Sequence, residues 1–153
     1  MIDRIIFVDE DNTGLGPLAA AIFRKKAKEH SGRIRAQSRG TVVLFPEPVN
    51  SRIAMIGLKY GVDIREHQAA ALSDGDFAAN VLILALDSAS QKRAFAAHSG
   101  FSNIFILKEY VGETGDVKIP LGESEEKYEA VCETVDRLME HLIQKFKDEE
   151  IMT

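Results

Sequence analysis

Residues 5–23 read IIFVDEDNTGLGPLAAAIF, and the organisation of the chain follows from this stretch. The apolar run Ile5–Val8 has the character of a buried strand. Pro17 is placed for the first turn of a helix, and Leu18, Ala19, Ile22 and Phe23 then share one helical face. Between strand and helix lies a tight turn, Asp9 to Gly16. A strand-to-helix turn of this kind directs free backbone N–H groups outward and is a common anion site in α/β proteins. Here it carries the consecutive acids Asp9, Glu10 and Asp11.

Outward from this unit the pattern repeats. Ile34–Ser38, Val81–Leu86 and Asn103–Leu107 read as further buried strands. Helices are predicted from about Asn50 to Tyr60 with Gly61 as stop, and from an N-cap at Ser88 toward His98. The last helix follows Ser124, with Tyr128, Val131, Val135, Leu138, Leu142 and Phe146 at three- and four-residue spacing. Alternation of strand and helix predicts a three-layer α/β sandwich, a parallel sheet with helices on both faces. A chain of 153 residues with 45% hydrophobic content fits one domain over 1–153, its tail fraying after about Lys147.

The charge balance is mildly acidic, 19 basic against 24 acidic side chains, which disfavours nucleic acid or an anionic membrane as partner. The apolar run VLILAL is too short to span a bilayer. No signal-peptide layout precedes the first strand, and a single cysteine, Cys132, excludes an intramolecular disulfide. A cytoplasmic location is expected.

The chain resembles the low-molecular-weight protein tyrosine phosphatases over nearly its whole length. GPLAAAIFRKKA (Gly16–Ala27), QSRGT (Gln37–Thr41), GVDIREHQAAAL (Gly61–Leu72), LILALD (Leu82–Asp87) and LKEYVGETGD leading into PLGESEEKYEAV carry the resemblance in family order. It implies the phosphotyrosine protein phosphatase I-like fold, with four parallel strands in the order 2-1-3-4 and a phosphate loop after the first. The family's loop runs Cys, five residues, Arg, Ser or Thr, Pro. Counted back from Pro17, the nucleophile position holds Asp9, the arginine position Leu15 and the hydroxyl position Gly16. The family's general acid is an Asp directly before a Pro; Pro120 here follows Ile119.

Those replacements remove a low-pKa thiolate, a bidentate guanidinium and a proton donor, which act as a unit. The resemblance therefore implies a catalytically inactive member, a pseudophosphatase acting as a binding or regulatory domain without a cofactor. Asn12, Ser38 and His67 fall where the family braces its loop by hydrogen bonds. Gly14 and Gly16 are expected to supply permissive angles, so Glu10–Gly14 and Gly16 keep a cradle in which a protein or small-molecule ligand is the expected partner. Leu44 and Phe45 either rim that cleft or fold inward. Asp9 itself is expected to act as a built-in anion, its pKa held below about 3.9 by loop N–H groups. Alternatively, the acidic trio is a solvated turn.

IIFVDEDNTG also matches the Asp-x-Asp-x-Thr motif of haloacid dehalogenase-like phosphatases. On that reading Asp9 is a nucleophile, Asp11 an acid/base beside Thr13, and Asp9, Asp11 and Asp87 hold Mg²⁺, with Ser38 and Lys108 contacting phosphate. Asp87 and Lys108 come in the wrong order for that pattern. The remaining histidines, His30, His98 and His141, lack metal-ligand spacing. His67 reads first as a structural hydrogen-bonder, Asp87 as a strand-end polar residue, and Tyr110, Tyr128 and Cys132 as packing residues.

Overall fold

A computed structural model describes residues 1–30 and 33–149. Four parallel strands, β1 (Arg4–Asp9), β2 (Arg35–Gly40), β3 (Val81–Ala85) and β4 (Ile104–Ile106), form one sheet in the order β2-β1-β3-β4. The helices are α1 (Leu15–Lys28), α2 (Ser51–Lys59), α3 (Ser88–Ala97), the short α4 (Leu107–Tyr110) and α5 (Glu125–Asp148). Expected fraying after Lys147 falls mainly outside the described residues, since α5 continues to Asp148.

Strand alternation divides the core. Ile5, Phe7, Leu82 and Leu84 face α1, α2 and α5, while Ile6, Val8, Val81 and Ile83 face α3. On the larger side Phe7, Phe23 and Phe146 follow one another at centroid separations of 6.2 and 6.1 Å. Full burial of such rings is why truncating one costs about 3–5 kcal/mol. Cys132 is fully buried there, and burial pushes its thiol up to about 11.

Helix boundaries follow cap chemistry. Asn50 and Ser124 cap α2 and α5 by accepting N–H bonds from Arg52 and Ile53, and from Lys127. Gly61, at φ 77°, stops α2. The expected cap at Ser88 is corrected: Asp87 caps α3 through Ser90 N–H at 2.7 Å, while Ser88 N–H and hydroxyl both turn to Asp116. Leu107 ends no strand but opens α4, its side chain fully buried against the larger core. The segment after α2 holds a feature without a sequence signal, a 3-10 turn at Asp74–Asp76. Its buried Asp76 accepts Ser73 N–H and pairs with Arg4 at 3.5 Å and Arg39 at 3.4 Å.

Candidate functional site: the loop between β1 and α1

Asp9 ends β1 and its carboxylate turns under the loop. Oδ1 accepts Asn12 N–H at 2.7 Å and Oδ2 accepts Gly16 N–H at 3.0 Å, with the Gly14 amide contributing as well. Helix α1 has no side-chain cap from Gly14 and no acid in its first turn. Asp9 supplies the hydrogen-bond acceptor for the first amides from the end of the strand. Gly16 makes the arrangement possible, because a Cβ there would lie 2.9 Å from Oδ2 and 3.1 Å from Cγ. Its role is space, not the permissive angle expected of it. The loop's left-handed residue is Asn12, at φ 61°.

Asn12 is fully buried and anchors the loop from behind. Its Oδ1 accepts Ala70 N–H at 2.9 Å, and its carbonyl lies 2.8 Å from His67 Nε2. Thr13 O accepts Asn50 N–H at 2.6 Å, and Glu10 O accepts Val42 N–H at 2.7 Å. Ser38 is near but does not brace: its hydroxyl makes no hydrogen bond to the loop. Burial holds His67 below the ordinary histidine range against its bond to Asn12, and the charges of Arg24 and Arg39 act in the same direction as burial. His67 is thus a neutral donor to the loop near pH 7.

Asp9 departs from expectation in its ionisation. Part of its surface opens on the cleft, yet the surrounding protein pushes its carboxyl up to about 7. Burial is the largest cause; the amides of Gly16, Asn12 and Gly14 oppose it, and Asp11 raises it further. A built-in anion held below 3.9 is therefore corrected to a carboxyl that titrates near neutrality, because desolvation outweighs three amide bonds.

Leu15 is buried in the core beside the loop, and Ile119 packs within 3.5 Å of where a Gly14 Cβ would sit. A cleft of about 340 Å³ opens in front of them, reached also by Arg93, Lys118 and Leu121. Sequence reasoning missed these last three, which lie on α3 and a distant loop and share no motif. Arg93 pairs with the exposed Glu10 at 3.7 Å. Leu44 and Phe45 do not fold inward; they are 86% and 60% exposed beside Glu10 and Asp11.

Asp9, Asp11 and Asp87 all line the cleft, but each is engaged separately. Asp11 Oδ1 accepts the N–H and hydroxyl of Thr13, at 3.1 and 2.8 Å, and Asp87 is engaged as the α3 cap. Among the described residues no three His, Cys, Asp or Glu side chains are grouped to hold a metal ion. Lys108 lies elsewhere, beside Asp116 and Pro120. The donor set does not fit the Mg²⁺ site of the dehalogenase-like reading.

A parallel 2-1-3-4 sheet with its loop folded around the end of the first strand agrees with the family that the sequence matches. The model of the low molecular weight phosphotyrosine protein phosphatases matches residues 4–151. The chain belongs to that family. A low molecular weight protein-tyrosine-phosphatase PtpB from Staphylococcus epidermidis is 31% identical over 147 residues, covering 95% of this chain and 99% of the relative. Among solved structures, the low molecular weight phosphatase from T. tengcongensis is 31% identical with a TM-score of 0.87, covering 93% of this chain and 98% of that one. YwlE arginine phosphatase from Geobacillus stearothermophilus is 26% identical with a TM-score of 0.85, covering 97% and 95%. No helix among the described residues is long and apolar enough to cross a membrane.

Proposed function

We propose that this member of the low molecular weight phosphatase family is catalytically inactive and serves as a cytoplasmic binding or regulatory domain. The observation that carries the reading is the pair of bonds from Asn12 and Gly16 N–H to the Asp9 carboxylate. In a phosphate loop backbone amides of this kind stabilise anionic charge; here two of them are bonded to the chain's own side chain. The family's thiolate position is Asp9, its guanidinium position is the buried Leu15, and its acid position is the apolar Ile119. An incoming phosphate dianion would find the Asn12 and Gly16 amides taken and the Asp9 carboxyl beside them. What remains for binding is the cleft in front and, on the other side of Glu10 and Asp11, an adjoining pocket where Leu44 and Phe45 are exposed, surfaces suited to a protein or small-molecule ligand.

The test is hydrolysis of phenyl phosphate and a phosphotyrosine peptide by the purified chain beside an active family member. Turnover within a few orders of magnitude of the active enzyme, abolished by Asp9→Ala, would sink the reading. A calorimetric Mg²⁺ titration addresses the dehalogenase-like alternative, for which stoichiometric binding lost in Asp11→Asn is the required outcome.

A further inference from the structure

Behind the loop, the open edge of β2 gathers hydrogen-bond donors. Gly40 faces this edge, its N–H bonding Ala70 O and its carbonyl accepting Leu72 N–H. Alternate strand residues aim their backbone groups the same way, so Ala36 and Ser38 face it too. Arg24 Nη1 donates to Ala36 O and Arg39 Nη1 to Ser38 O, each at 2.8 Å. Two guanidiniums thereby meet at a cavity of about 300 Å³ between α1, the β2 edge and residues 63–70.

Capping edge carbonyls accounts for one N–H of each arginine and protects the strand from pairing. It leaves the rest of the Arg24 charge without an acid. Arg39 shares Asp76 with Arg4, and Arg24 makes no ion pair among the described residues. Ser38 lines the same cavity, its hydroxyl without a partner among the described residues, and so does His67, whose Nε2 is taken by Asn12 while Nδ1 has no partner among them. The acid on the rim, Asp63, is held by Arg65 through two contacts of 2.9 and 2.8 Å.

We propose that this cavity binds a small oxyanion of the phosphate or phosphate-monoester class, held by Arg24, the Ser38 hydroxyl and N–H, and His67 Nδ1. Arg24 retains free donors in a planar fork suited to two anion oxygens. Neutral His67 presents a lone pair at Nδ1, so an anion there favours its protonation and takes up a proton on binding. The groups facing His67 agree: Arg24 from α1 and Arg39 from β2 disfavour its charge until an anion offsets them, while Asp63 at the rim is already paired. Through the His67–Asn12 contact the site touches the loop from the side opposite the front cleft. The inference does not depend on whether the front cleft is catalytic.

The experiment is a ¹H–¹⁵N titration of the full chain with sulfate, which does not itself titrate between pH 5.5 and 7.5, at constant ionic strength. Saturable shifts at Ser38 and His67 are expected, with affinity rising as pH falls. Arg24→Met should weaken binding by about tenfold or more, since charge-assisted bonds are lost, and Arg24→Lys should weaken it less. Arg93→Met, in the front cleft, should leave it unchanged. Parallel titrations with inorganic phosphate and glycerol phosphate distinguish a free anion, bound equally or better, from a monoester bound more tightly. Absence of saturable shifts at Ser38 and His67, or affinity that follows Arg93 and ignores Arg24, would overturn the site. Affinity unchanged by pH would overturn the part given to His67 Nδ1.

Discussion

Asp9 and Gly16 are fitted to each other. The carboxylate of one occupies the space where a side chain on the other would begin, 2.9 Å from Oδ2, and accepts the N–H of that same residue at 3.0 Å. The family's hydroxyl residue at position 16 could not coexist with this carboxylate orientation. On the proposed reading, the residues at positions 9 and 16 are thus one packing solution and not two independent changes.

A double-mutant cycle tests the fit. With Asp9 present, Gly16→Ala forces the carboxylate off its amides and should cost about 1–3 kcal/mol in urea unfolding. With Asp9→Ala already in place, the same change should stabilise by up to about 1 kcal/mol, because alanine is the better helix former. A Gly16→Ala effect of equal sign and size in both backgrounds would show that the residues do not interlock.

Reversion toward the family chemistry should be strongly non-additive. Leu15→Arg alone places a guanidinium at a 3% exposed core position and should destabilise by about 2 kcal/mol or more without producing activity. Asp9→Cys alone restores a thiol with no anion clamp. Only Asp9→Cys, Leu15→Arg and Ile119→Asp combined should show orthophosphate binding and measurable aryl phosphate hydrolysis. Activity appearing fully in one single variant would contradict the view that the groups act together.

Asp76 is predicted to hold the far edge of the sheet. It is buried and takes both Arg4 of β1 and Arg39 of β2, besides the Ser73 N–H. Asp76→Ala leaves two partly buried guanidiniums without their acid and should cost about 3 kcal/mol in thermal or urea unfolding. A loss under about 0.5 kcal/mol would place this pair among ordinary surface contacts.

These residues mark where the sequence was readable. VLILAL and the Tyr128–Phe146 spacing announced β3 and α5 because one-sided burial leaves a period in the chain. The caps at Asn50 and Ser124 were legible as local chemistry. Ser88 was not, because Asp116, 28 positions away, claims it and leaves Asp87 to cap α3. Asp76, Arg93 and Lys118 have no local signature; their roles arise only when distant segments meet. The position of Asp9 could be counted from Pro17. Its ionisation could not, since desolvation depends on what the fold packs around it.

That ionisation gives the sharpest pH prediction. An acid whose folded pKa, about 7, exceeds its unfolded value near 3.9 binds more protons folded than unfolded across the interval between them. Its contribution to stability is complete below the unfolded pKa and is lost as pH rises through the folded one. Three pKa units correspond to on the order of 4 kcal/mol. His67 works in the opposite sense: its folded pKa is lowered, so its contribution is present above the unfolded value and lost as pH falls. The total stability curve mixes both, and Asp9→Asn separates them. Asparagine must set an NH₂ against Asn12 N–H or Gly16 N–H, a cost that does not vary with pH, and it removes the titration. The difference in unfolding free energy between wild type and Asp9→Asn should therefore favour wild type at pH 4.5 and shift toward the variant by several kcal/mol at pH 8. Direct ¹³C titration of the Asp9 carboxyl should place its midpoint near neutrality. A pH-independent difference, or a midpoint below 4, would mean that the loop amides outweigh burial and that Asp9 is a permanent anion after all.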